Sequence, residues 1–100
     1  MKYEEYTECM DVLVQALQRN KLTGDFWKVI DLLPSERVYE DLENLLKLKI
    51  LEGKDYLMVV DICHRYKYAN SFSVKQKRAS VIYLLKNWDD ISIAIESNLL

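Results

Sequence analysis

Glycine and proline are scarce in this chain, which holds two glycines and one proline in 100 residues. Sandwiches and barrels reverse direction many times and need turn residues at most reversals. Gly24, Pro34 and Gly53 are too few to supply them. The scarcity therefore favours helices joined by short loops. At this length we expect a single all-α domain over residues 1–100, a compact helical bundle.

The spacing of apolar residues predicts five short helices, because a recurrence every three or four positions marks one helix face. Ser73 begins the fifth, where Gln76 three positions later completes a capping box. The tail 91–100 alternates isoleucine with other residues, so a sixth helix and an edge strand both stay open. The first four predicted helices span 3–19, 26–33, 35 to about 52, and 55–69.

Capping residues support the inner boundaries. Thr23 or Asp25 is suited to cap the second helix, and Ser35 the third. Pro34 separates these two helices, because a proline disfavours helical backbone in the residue before it. Gly53 is the expected left-handed terminator of the third helix.

The apolar faces of the helices define the expected core. In 55–69, at 100° per residue, the residues from Met58 to Ala69 on the apolar side fall within about 140° of one another. Asp61, His64 and Arg65 lie outside that arc. The predicted core residues are Tyr3, Tyr6, Met10, Leu13, Leu17, Phe26, Ile30, Leu42, Leu45, Leu46, Ile62, Val81, Leu84 and Trp88.

A second fold stays open for the middle of the chain. In the segment "LKLKILEGKD", Leu46, Leu48 and Ile50 alternate with lysines, which is typical of a strand entering a hairpin. With the preceding "SERVYEDLEN", the stretch looks loosely like the recognition helix and following strand of a winged helix-turn-helix. That resemblance implies an α+β fold with a small hairpin near 46–60. The acidic residues of 36–43 would repel phosphate, so such a helix would meet protein rather than DNA.

Charge and composition indicate a cytoplasmic protein. The net charge is −2, which gives no overall attraction to nucleic acid or anionic lipid. The longest apolar run, 56–60, is far shorter than the ~20 residues that cross a bilayer, so we expect no membrane partner. The acidic start "MKYEEYTE" does not resemble a signal peptide. Cys9 and Cys63 are too few for a disulfide framework, and reduced, buried thiols are expected.

The segment 62–88 carries all its charge as cations, and this is the strongest hint of a nucleic-acid site. Clustered Lys and Arg contact phosphates, and tyrosines stack on unpaired bases, although Tyr66 belongs to the core side of its helix. A helical wheel scatters these charges, which weakens the hypothesis. The helix dipole nevertheless disfavours cations at the start of the fifth helix. Helix stability therefore does not explain their position, and this keeps the binding hypothesis open. The candidate residues are Arg65, Lys67, Lys75, Lys77, Arg78 and Lys86.

Little in the sequence indicates catalysis, a cofactor or a metal. His64 is the only histidine and adjoins Cys63, but neighbouring helical residues diverge by about 100°. Asp61 and His64, one turn apart, are typical of a surface pair. With only two glycines no phosphate-binding loop can be built. We therefore expect no enzyme activity, no metal site and no small-molecule substrate.

The most consistent function is binding to another protein, as an adaptor, inhibitor or regulator. The partner is a different protein or a second copy in a homodimer. Aromatic residues anchor interfaces as readily as cores, and the chain has seven tyrosines and two tryptophans. Apolar residues off the main helix faces are the candidate contacts, although a bundle buries such residues from its second side too. They are Val12, Leu48, Leu51, Leu57, Val60 and Tyr68.

Overall fold

The computed structural model describes residues 1–98, and the described chain is an all-α bundle of six helices. The helical prediction is confirmed, and the tail forms a sixth helix rather than an edge strand. Leu99 and Leu100, the end of that predicted segment, lie outside the described residues. The helices are α1 Tyr3–Gln18, α2 Gly24–Leu32, α3 Ser35–Lys47, α4 Gly53–Ala69, α5 Val74–Lys86 and α6 Trp88–Glu96.

The connection between α3 and α4 corrects two predictions. No strand occurs anywhere in residues 1–98, so the winged hairpin near 46–60 is wrong. The third helix also ends earlier than expected, at Lys47, and the left-handed residue that follows it is Lys49, with φ 57°. Gly53 is left-handed as expected, also with φ 57°, but it begins α4 and does not end α3. Of the three alternating residues, Leu46 and Leu48 lie against the core, whereas Ile50 is 41% exposed, so the alternation does not mark one buried face.

The predicted caps hold at two of three helix starts. The Thr23 hydroxyl accepts a hydrogen bond from the Phe26 amide at 3.4 Å. Ser73 and Gln76 form the full capping box, with reciprocal bonds of 3.1 and 3.0 Å. Ser35 makes no such bond, because it is already the first helical residue and Pro34 occupies the cap position.

Helix α5 is the centre of the bundle and packs against all five other helices. Its Val81 and Leu84 are fully buried among side chains from α1, α2, α3, α4 and α6. Of the predicted core residues, Leu17 and Leu46 are half-buried against this cluster, and Tyr3 is exposed because α1 begins there. The remaining predicted core residues are buried, joined by Leu33, Val38, Val59, Cys63, Tyr66, Leu85, Ile91 and Ala94.

A buried hydrogen-bonded group ties α1 to α3. The Tyr6 hydroxyl, fully buried, donates to Asp41 Oδ2 at 2.7 Å, and Asn44 donates to Asp41 Oδ1 at 3.4 Å. Burial raises the pKa of Asp41 above that of an ordinary carboxyl group, although its two hydrogen bonds oppose the shift. Asp41 is thus a buried structural residue, and the apolar periodicity of α3 does not predict its burial.

Candidate protein-interaction surface

Helix α4 stands at the outside of the bundle and packs mainly against α3 and α5. Of its 17 residues, four are buried: Val59, Ile62, Cys63 and Tyr66. Behind them, the rings of Tyr39, Tyr66 and Phe72 stack in sequence at centroid distances of 4.5 Å. The inner side of α4 is therefore well anchored, and its opposite side faces outward.

The side of α4 opposite the buried residues carries a regular row. At 100° per residue, Leu57, Asp61, His64 and Tyr68 fall within about 60° of one another. We call these four residues the outer row. Leu57 is 65% exposed and Tyr68 is 91% exposed. The row thus has an apolar residue at each end and a charged or polar pair in the middle.

Three more exposed apolar residues flank the outer row: Tyr56, Met58 and Val60. Together with the row they form what we call the α4 outer face. Large apolar side chains exposed singly are common on proteins, whereas five on one helix concentrate exposed apolar area on that helix. The other exposed apolar residues are spread over different helices and loops, for example Val12 on α1 and Ile93 on α6.

The polar centre of the outer row is locally ordered. Arg65 Nε donates to Asp61 Oδ2 at 2.9 Å, one turn along the same helix. The rings of His64 and Tyr68 lie 6.4 Å apart between centroids. Both groups of the ion pair are more than half exposed, so the pair contributes little to the free energy of folding.

A groove of about 200 Å³ between α3 and α4 continues the outer face at Val60 and His64. Its floor includes Cys63, whose burial raises the pKa of the thiol to about 11. The thiol therefore stays protonated near neutral pH, and a protonated thiol is a poor nucleophile and a poor metal ligand. On the α3 side, burial and then the Glu43 carboxylate raise the pKa of Tyr39. The groove does not favour thiol chemistry.

The six predicted partner-binding residues do not form one surface. Leu57, Val60 and Tyr68 belong to the α4 outer face, whereas Val12 is exposed on α1. Leu48 and Leu51 are half-buried against the core.

Two residues of the α4 outer face escaped sequence analysis. The apolar periodicity assigned Met58 to the inner arc, but it is about half exposed. Tyr56 was not singled out at all. Both lie near the start of α4, where residues 53–58 are all exposed and the first buried residue is Val59. A cluster of three large apolar residues at a helix start was the only available signal.

The basic candidates are largely engaged within the bundle. Lys77 Nζ donates to the Asp31 carbonyl oxygen near the end of α2 at 2.9 Å. Arg78 binds the Asp31 carboxylate with two hydrogen bonds, at 3.0 and 2.7 Å, and its guanidinium lies 5.4 Å from the Trp27 ring centroid. The Arg78 hydrogen bond holds the pKa of Asp31 below its usual value.

These contacts explain why cations stand at the start of α5, where the dipole disfavours them. The charged groups of Lys77 and Arg78 reach the end of α2, where the carbonyl oxygens of the last turn favour positive charge. Arg65 is held by Asp61, as described above. Lys67, Lys75 and Lys86 are exposed, and Lys67 lines the groove between α3 and α4.

Metal-ligand clusters and membrane-spanning helices are both absent from residues 1–98. Over residues 1–98, no group of three or more His, Cys, Asp or Glu is arranged to hold a metal ion. None of the six helices is long and apolar enough to cross a membrane, in the part of the chain described here.

Comparisons of the chain with protein-family models, curated proteins and solved structures find no match. A fold on its own does not assign a function. The functional proposal therefore rests on the surface of the molecule.

Proposed function

We propose that this protein is a non-enzymatic binding domain, an adaptor, inhibitor or regulator, that contacts a protein partner through the α4 outer face. The observation that carries the proposal is the exposure of five large apolar side chains on one helix that is otherwise firmly anchored. Water-exposed apolar area of this kind is reduced when a partner covers it.

The composition of the face suits protein recognition. Tyrosine and methionine are enriched in interfaces, and charged residues are depleted from interface centres. Tyr56, Met58 and Tyr68 fit the first trend, whereas Asp61, at the centre of the row and paired with Arg65, departs from the second. The anchored inner side of α4 also helps, because a rigid helix loses little conformational entropy on binding.

The alternative of a nucleic-acid-binding surface in 64–86 is less well supported. Three of its six cations already bind groups of this chain, namely Arg65, Lys77 and Arg78. Phosphate binding would have to compete with those contacts or rely on the exposed lysines. A binding mode of that kind weakens steeply as salt increases.

The test uses two matched substitutions, Leu57→Asp on α4 and Val12→Asp on α1. Both side chains are 65% exposed, so neither change disturbs the core. The tagged protein is used to isolate partners from the cells that express it, and each partner is then purified and titrated against both variants at low and high salt. We expect Leu57→Asp to weaken binding at least tenfold, Val12→Asp to have little effect, and salt to change affinity only slightly.

Two results would overturn the proposal. The first is a partner whose affinity is equal for the two variants, which would place the contact away from α4. The second is a salt-sensitive complex with RNA or DNA that is lost on Lys75→Glu and Lys86→Glu. That result would assign the function to the basic segment instead.

A further inference from the structure

The order of residues along the outer row is symmetric, and this symmetry bears on what covers the row. Its spacings are four, three and four: Leu57, Asp61, His64, Tyr68. Alternating steps of three and four are those of a helix seam that packs against a second helix. Read from either end, the order is apolar, polar, polar, apolar, with the acid and the imidazole exchanged.

We propose that the α4 outer face binds the same face of a second copy, with the two α4 helices antiparallel across a two-fold axis between Asp61 and His64. A two-fold interface is self-complementary: if residue i contacts residue j, then j contacts i. In this register Leu57 meets Tyr68 of the second copy, and Asp61 meets His64. The proposal rests on the proposed function and names its partner as a second copy of this chain.

Charge complementarity decides between the two possible helix directions. The antiparallel register places each Asp61 carboxylate opposite an imidazole that can donate a hydrogen bond or carry positive charge. Parallel pairing would set Asp61 against Asp61 and His64 against His64. Opposed like charges at the centre of an interface are unfavourable, so the row specifies antiparallel pairing.

The residues beside the row fit the same arrangement. In an antiparallel helix pair, residues on one flank of the seam face residues on the same flank of the other helix. Met58 therefore lies near Arg65 of the second copy, and Val60 lies near Lys67 of the second copy. Each contact joins an apolar side chain to the aliphatic stem of a cation, whose charged head stays in water. No flanking contact opposes two like charges.

The exposed area limits the affinity. The five apolar side chains of the face expose on the order of 600 Å², at ~200 Å² for a large side chain, which is less than the ~800 Å² that each partner buries in a standard interface. We therefore expect a dissociable dimer with a dissociation constant on the order of micromolar.

A charge-swap experiment tests the register directly. Light scattering and sedimentation at pH 6 compare four proteins over roughly 1–500 µM. They are the wild type, Asp61→His, His64→Asp, and the double variant with both changes. Both changed positions are exposed, and unchanged helical circular dichroism serves as the check on folding.

We expect a wild-type mass rising toward twice 11.9 kDa with concentration. Each single variant should dissociate at least tenfold more readily, because it opposes two acids or two imidazoles. The double variant should return to within about threefold of the wild type, since each acid again meets an imidazole. The double variant lacks the Asp61–Arg65 ion pair. If it dimerises again, loss of that ion pair is not the reason why the single variants dissociate.

Other results overturn the dimer. A wild type that stays monomeric at every concentration contradicts it, and so does a dimer insensitive to the single changes. A double variant no better than the singles contradicts the antiparallel register. The protein-binding proposal is judged separately by the Leu57→Asp and Val12→Asp titrations: a monomer whose heterologous partner is lost only with Leu57→Asp keeps that function and loses the dimer.

Discussion

Helices α4 and α5 are neighbours in the bundle, yet their side chains have opposite environments. In α5 several polar residues are used internally: Ser80 is buried and donates to the Gln76 carbonyl oxygen at 2.6 Å, and Lys77 and Arg78 bind the end of α2. In α4, by contrast, large apolar residues such as Leu57 and Tyr68 are exposed. The position of a helix in the bundle, rather than its composition, therefore decides which of its side chains remain available to a partner.

The largest expected difference between the two helices is in the cost of removing a leucine. Leu84→Ala in α5 opens a cavity in a fully buried site and should lower the free energy of unfolding by about 2–5 kcal/mol. Leu57→Ala in α4 should change it by less than about 0.5 kcal/mol, because the side chain is exposed. Urea unfolding of both variants measures the difference, and equal losses would mean that Leu57 is buried in the folded protein.

The next expected effect compares a buried acid with an exposed one. Asp41 has a raised pKa, so its folded form holds a proton more tightly than the unfolded chain does. Its contribution to stability is therefore fully present below the ordinary carboxyl pKa and is lost as pH rises through the raised value. Asp41→Asn keeps an acceptor for the Tyr6 hydroxyl and removes this titration.

We expect the free energy of unfolding of Asp41→Asn to increase relative to wild type as pH rises from about 4 to 7. Asp61→Asn on the exposed side of α4 is the matched control, and its difference from wild type should stay smaller across the same range. Urea unfolding at several pH values measures both. If the free energy of unfolding of Asp41→Asn relative to wild type stays flat or falls as pH rises, the raised pKa of Asp41 is contradicted.

The smallest expected effect compares two arginines that bind carboxylates. Arg78 joins α5 to α2 and covers Trp27, whereas Arg65 binds Asp61 within a single turn of α4. Arg78→Ala should lower the urea midpoint more than Arg65→Ala, because it removes packing between two helices as well as a charge. If both substitutions lower the urea midpoint equally, Arg78 contributes no more to stability than an ordinary surface ion pair does.

The fold was largely predictable from sequence because apolar periodicity reports burial directly. Tyr6, Met10 and Leu13 recur at helical spacing and are buried as expected. Periodicity does not report which neighbour a side chain meets. The irregular connection around Leu48 therefore resembled a strand, although its inward residues only fill space beside the core.

The site was less predictable for the same reason. Leu57, Val60 and Tyr68 were candidates because they depart from the apolar face of their helix, but Met58 looked internal. Only the bundle shows that residues 53–58, at the start of α4, are all exposed. Lys77 and Arg78 resembled a phosphate-binding cluster because their acceptor, Asp31, lies more than 45 positions away in the sequence.

The most direct test of the α4 outer face as the contact surface is NMR mapping of the isotopically labelled protein, free and in its complex. The complex is the one formed with an isolated partner, or with itself at high concentration. We predict that backbone shifts change along 56–68, strongest around the outer row, and stay constant at Val12, Lys75 and Lys86. Changes centred on the start of α5 or on α1, with α4 unaffected, would contradict the assignment of function to the α4 outer face.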